Sequence, residues 1–136
     1  MMNPNPTSLL RVLLLLAMLS FAACTDPRTN SLSRFRSADA VELRTEAGRL
    51  YTSLFPAAGP MFVAVQPEAW PASLLKLRPL RLNLYRDGLA ISLQSQPGYE
   101  YGLHVIPVGV ADDLKSTERT QYEKLQDGIY YFTQKR

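Results

Sequence analysis

Apolar residues follow three spacings along the chain, and each predicts a different element. Residues 12 to 23 are apolar throughout except for Ser20. Between residues 37 and 55, Ala40, Leu43, Ala47, Leu50 and Leu54 recur at steps of three and four, with Val41, Tyr51 and Phe55 beside them. Glu42, Arg44, Glu46 and Arg49 fall on the opposite side, so this stretch predicts an amphipathic helix that covers a sheet. From residue 80 onward the period is two. Leu80, Leu82, Leu84, Leu89, Ile91 and Leu93 alternate with Arg81, Asn83, Tyr85, Ala90, Ser92 and Gln94, which predicts strands with one apolar face turned inward.

Turn and breaker residues bound these elements. Asp39 and Glu42 have the spacing of a capping box, with Ser37 as an alternative cap, and Pro56 with Gly59-Pro60 closes the helix. Residues 61 to 65 are short and apolar and predict a buried strand. In residues 66 to 79, Pro67, Pro71 and Pro79 leave room for only a short helix after Ala72. Trp70 in that loop is either a plug against the core or a platform for a ligand. Asp87-Gly88 predicts a type I′ turn that sets Leu84 opposite Ile91 and Leu82 opposite Leu93. Residues 99 to 106 alternate again, with Tyr99, Tyr101, Leu103 and Val105 on one side and Glu100, Gly102 and His104 on the other; pairing with the preceding strand would send Leu103 and Val105 into the core and His104 to the polar outer face. Asp127-Gly128 centres a second hairpin. A two-residue turn there sets Leu125 opposite Tyr130 and a three-residue turn sets it opposite Ile129, so its register is open. The expected class is α+β: one amphipathic N-terminal helix packed on an antiparallel sheet of about five to six strands with two Asp-Gly hairpins.

The apolar run is short of the about 20 residues that cross a bilayer and suits the core of a signal peptide. Ser20-Phe21-Ala22-Ala23-Cys24 resembles a bacterial lipobox, with Phe21 where leucine is usual. That resemblance implies a signal peptide over residues 1–23 and a lipid on Cys24, whose several acyl chains would hold the protein on a membrane. An ordinary signal peptide or an uncleaved anchor helix are the alternatives. Thr25, where Asp would favour inner-membrane retention in enteric bacteria, implies the outer membrane, periplasmic face, in a cell that has one. Residues 24–36 are polar and predict a flexible tether, whose Arg28, Arg34 and Arg36 either rest on anionic head groups at about 1 kcal/mol each or merely keep it soluble. Residues 37–136 then form a single α+β domain.

Charge and ligand counts exclude several chemistries. The chain has 15 basic and 12 acidic residues, and this small excess without a clustered basic face argues against nucleic acid as a partner. With one histidine and one cysteine, a zinc site lacks ligands, and no disulfide can form within the chain; no cofactor is expected. A Ser-His-Asp arrangement would have to use His104 with Ser92 and Asp112 or Asp113, and the nucleophile elbow Gly-x-Ser-x-Gly is missing. Glu100 with Asp112 or Asp113 is the pair open to glycoside hydrolysis, on a domain with little wall for a sugar cleft. Phosphate-loop motifs are absent.

Trp70-Pro71, Leu77-x-Pro79, Gly88-Leu-Ala-Ile91, Gly102 and Lys124-Leu-x-Asp-Gly-Ile-Tyr-Tyr131 together resemble a group of small uncharacterised bacterial proteins. The resemblance implies a strand order and no activity. Aromatic residues crowd the second half, and alternation cannot place Tyr130 and Tyr131 on one face. Tyr85, Arg81, Tyr130, Tyr131, Trp70 and His104 are therefore the candidate binding surface, either exposed for a partner or simply the tyrosine content usual in sheets. The reading is a lipid-anchored, non-catalytic envelope module that contacts an envelope protein or peptidoglycan. The alternatives are a small hydrolase using His104 and an inhibitor or immunity-type protein.

Overall fold

A computed structural model describes Arg11, residues 26 to 55 and residues 61 to 136. The expected signal peptide, Arg11 apart, and its Cys24 lie outside the described residues. Among the described residues no helix is long and apolar enough to cross a membrane.

The fold is α+β. Its elements are α1 (Pro27–Arg34), α2 (Ala40–Leu54), β1 (Phe62–Val65), α3 (Ala72–Leu75), β2 (Arg81–Tyr85), β3 (Gly88–Gln96), β4 (Tyr99–Val105), β5 (Thr120–Gln126) and β6 (Ile129–Lys135). The strands form one open antiparallel sheet in the order β1-β2-β3-β4-β6-β5. The last hairpin therefore inserts β6 beside β4 and leaves β5 at the edge. Leu82, Leu84, Leu89, Ile91, Leu103, Val105 and Ile129 line one face and pack with Ala40, Leu43, Ala47 and Leu50 of α2 and with Leu74 and Leu77. Each such leucine or isoleucine contributes about 1.5 to 3 kcal/mol on leaving water, so this layer holds the sheet and α2 together.

Several local expectations change. β2 and β3 are joined through Arg86-Asp87, because Tyr85 pairs with Gly88, Leu84 with Leu89 and Leu82 with Ile91. A type I′ turn at Asp87-Gly88 does not form. Gly88 instead has φ 146° where β3 runs close to β4, and a Cβ there would come within 2.5 Å of the Val105 carbonyl oxygen. The real register differs from the expected one by two residues, so the faces of β2 and of β3 as far as Ser92 are unchanged while every partner moves. A bulge after Ser92 then pairs Gln94 with Tyr101, which turns Gln94 to the helix side and corrects the outward position expected for it. In the last hairpin Lys124 pairs with Tyr130 and Gln126 with Ile129, and the register shift between them leaves Leu125 opposite neither candidate. Leu125 packs against the core. Leu80, expected inside, is 55% exposed ahead of β2. β1 is an edge strand on which Val65 is buried and Phe62 exposed, rather than buried throughout.

Asp39 makes no side-chain cap, because a 3-10 turn over Ser37–Asp39 already sets it in the helical region. The tether expected over residues 24–36 is helical from Pro27 to Arg34. Asp26 caps this helix through the Thr29 N–H and Pro27 opens its first turn, a start signal legible in the sequence. Its polar composition hid the docking, which is itself polar. Ser31 is buried, Arg28 pairs with Glu123 of β5, and Arg34 reaches the carbonyl oxygens of Leu77, Arg78 and Leu93.

Candidate functional site

The sheet's other face carries the residues that alternate with the core, and the helices leave it bare. His104 and Ser92 on it are nonetheless only 2% exposed, and Glu100, Tyr130 and Phe132 are buried as well. The outward, polar position expected for His104 is thus correct in direction and wrong in exposure. Small residues explain the inversion. Ala90, Ser92 and Gly102 pave the sheet centre, while Tyr85, Tyr122 and Phe132 rise from the strands around them, so the face is hollow. The resulting cleft holds about 160 Å³. That is room for one ring-sized group, below the about 300 Å³ at which drug-sized pockets begin.

An aromatic row crosses the cleft. Phe62 of β1 stands 5.6 Å from Tyr85 of β2, Tyr85 stands 6.4 Å from His104 of β4, and Tyr122 of β5 meets His104 edge-on at 5.6 Å. Tyr122 also stands edge-on to Tyr130 at 6.3 Å. Edge-to-face contact at these distances favours defined ring orientations and keeps the wall stiff. Burial, then the nearby Asp87 charge, pushes the Tyr122 phenol up to about 12. Burial followed by the Glu100 charge also raises Tyr85. Both phenols therefore remain protonated at neutral pH and offer O–H donors to a ligand.

Polar groups anchor the two ends. His104 Nε2 lies 3.2 Å from Asp87 Oδ1, an ion-pair distance at which the angle falls short of a full hydrogen bond. Contact with His104 still holds Asp87 below the usual carboxylate range. At the other end Glu100 accepts from Arg81 Nε at 2.8 Å and Nη2 at 2.6 Å, from Arg136 Nε at 3.1 Å and Nη2 at 2.7 Å, and from the Ser92 hydroxyl. Two guanidinium groups thus more than offset one buried carboxylate. Ser92 pairs with Gly102 and Ala90 with His104, so Ser92 and His104 are diagonal neighbours about 7 Å apart at Cβ. No hydrogen bond joins them among the described residues, since the Ser92 hydroxyl is given to Glu100. Nor does any group of three or more possible metal ligands occur there.

Of the expected surface residues, the structure brings Tyr85, His104, Tyr130 and the end of Arg81 to this face. Tyr131 is on the helix side and Tyr130 on the opposite face, as alternation requires, and both are only 6% exposed. Tyr130 donates its hydroxyl to Asp112, and Arg81 is committed to Glu100. Trp70 is a plug on the helix side, partly buried against the core with its indole N–H given to the Val65 carbonyl at 2.8 Å. Asn83, Asp87, Tyr122, Phe132 and Gln134 also line the cleft, outside the six residues that the sequence nominates as a binding surface. Period-two alternation from Tyr130 to Phe132 carried a signal for Phe132. Asp87 read as a turn residue only. Comparison with protein families, with curated proteins and with solved structures finds no match to this chain.

Proposed function

We propose that the protein is a lipid-anchored, non-catalytic module on the periplasmic face of the bacterial outer membrane, which binds its ligand in the cleft of the helix-free face. The lipobox-like Ser20–Cys24 stretch supports the anchor. The observation that carries the binding site is the hollow beside buried His104, walled by Tyr85 and Tyr122 and floored by Ala90 and Ser92. Protonated phenols, the Asn83 and Gln134 amides and the Asp87 carboxylate offer both donors and acceptors around flat rings. This set suits a polar, ring-sized group. Peptidoglycan presents sugar hydroxyls and amides together and is the envelope polymer proposed as ligand.

Sedimentation of the protein with isolated sacculi tests this. Wild type should co-sediment, and Tyr122→Leu and Asn83→Ala should remain in the supernatant with folding unchanged by circular dichroism. Equal sedimentation of all three would refute the cleft as the binding site. Capture of an envelope protein that both substitutions abolish would replace peptidoglycan with that partner. The hydrolase reading draws on His104, Asp87 and Ser92 lining one cleft. Turnover of a chromogenic acyl ester that His104→Ala and Ser92→Ala each abolish would favour it.

A further inference from the structure

A second cavity, of about 460 Å³, is lined by Ser33, Arg34, Arg36, Asp39, Lys76 and Arg78. Four cations there face one carboxylate, and among the described residues none of the four takes part in a salt bridge. Arg34 is pinned rather than neutralised. Its Nη1 donates to the carbonyls of Leu77, Arg78 and Leu93 at 3.4, 3.3 and 3.2 Å, and its Nη2 to Asn30 Oδ1 at 2.9 Å. Burial, and after it the Arg78 charge, lowers the Arg34 pKa. Arg78 has φ 51°, the left-handed region, and is the only non-glycine among the described residues to do so. Such strain persists where surrounding structure holds it and gathers at ligand sites.

Position adds a second argument. α1 begins at Pro27, just after Cys24, and its eight residues rise about 12 Å to Arg34 at the cavity. Within two positions of the lining residues Asp39, Lys76 and Arg78 along the chain, Val41, Leu75 and Leu80 are 77%, 51% and 55% exposed. Exposed apolar side chains close along the chain to those of a basic pocket match a bilayer, with acyl chains beneath and anionic phosphate at the surface.

We propose that this cavity binds the glycerophosphate group of an anionic phospholipid in the leaflet that carries the anchor. The preference for phosphate stands on the cavity alone; the lipid source rests on the anchoring proposed above. Phosphate oxygens would accept from Arg36, Lys76 and Arg78, with Arg34 as the fixed charge behind them. The volume accommodates the glycerol unit as well as the phosphate.

The test uses the full chain in nanodiscs of phosphatidylcholine with and without phosphatidylglycerol, each containing a headgroup spin label. Amides of Arg36, Lys76 and Arg78 should broaden only when phosphatidylglycerol is present. Arg36→Gln and Lys76→Gln, both at exposed positions, should each weaken the effect about fivefold, with the Leu103 amide reporting an intact core. Equal broadening in neutral discs, or none lost in either variant, would overturn the proposal. Binding of free sn-glycerol 3-phosphate at these amides without any dependence on disc composition would overturn the lipid source. The mass of Cys24 in the same sample reads the anchor separately. Phosphatidylglycerol-dependent broadening of an unacylated chain would refute the anchor and support the site.

Discussion

The carboxylate of Asp87 stands 3.2 Å from Nε2 of His104 and ties the β2–β3 connection to a central strand across the mouth of the cleft. Gly88 makes the approach possible, since a Cβ there would lie 2.9 Å from the same nitrogen.

This contact predicts a pH dependence. His104 keeps the Asp87 pKa below its ordinary value, so folding gains stability that is complete above the unfolded carboxylate pKa of about 3.9. That stability is lost as pH falls through the lower native value. Asp87 is 51% exposed at its side chain, so solvent and salt screen the effect and it is small. Urea midpoints measured down the acid range should fall less steeply for Asp87→Asn than for wild type, and identical slopes would contradict the assignment.

Arg81 and Arg136 share the buried Glu100, whose side chain is 8% exposed. Removing either leaves the carboxylate one guanidinium, whereas removing both leaves it only the Ser92 hydroxyl. Arg81→Ala and Arg136→Ala should therefore combine to cost more than their sum, by about 1 kcal/mol. The half-exposed arginines hold the total below the about 3 to 5 kcal/mol of a fully buried pair. Chemical denaturation of the four proteins measures it, and strict additivity would show that the two arginines act independently.

Gly102 sits where a Cβ would come within 1.9 Å of the Ile91 carbonyl oxygen and 3.1 Å of the Phe132 ring. Backbone cannot yield as a side-chain end can. Gly102→Ala should cost about 3 kcal/mol, and a melting temperature unchanged from wild type would mean the strands are less closely apposed than this.

Asp112 fastens the loop before β5 to the last hairpin, accepting from the Tyr130 hydroxyl, from the Gly128 N–H at 3.0 Å and from Lys124 Nζ at 3.2 Å. The Tyr130 hydroxyl is the main reason its pKa is lowered. Tyr130→Phe should cost about 1 to 2 kcal/mol at neutral pH, a difference that shrinks as pH falls below about 4 and Asp112 protonates. Limited proteolysis should cut the loop faster in the variant. An equal cost at every pH would place the effect in packing instead.

The proposed anchor has its own check. Cys24→Ser should abolish labelling by radioactive palmitate and release the protein from the membrane fraction. Processing and membrane retention that survive the substitution would remove the envelope assignment.

Residue alternation alone determined which side chains of β2, of β4 and of β3 as far as Ser92 share a face, and the bulge that turns Gln94 to the other side was decided by pairing with β4. A register error of two residues, as at Asp87-Gly88, changes every pairing and leaves each face intact, because the side-chain period is itself two. The helical spacing of Ala40, Leu43, Ala47 and Leu50 likewise named the residues of α2 that are buried. Alternation does not say what covers a face. That His104 is buried, that Tyr122 stands over it and that Asp87 reaches it depends on β6 lying between β4 and β5 and on small residues aligning across β3 and β4. These are contacts between residues far apart in the chain, and no local pattern encodes them. The same holds for α1, a polar segment that local composition marks as solvated and that long-range partners, Glu123 and the carbonyls of Leu77, Arg78 and Leu93, fasten to the sheet.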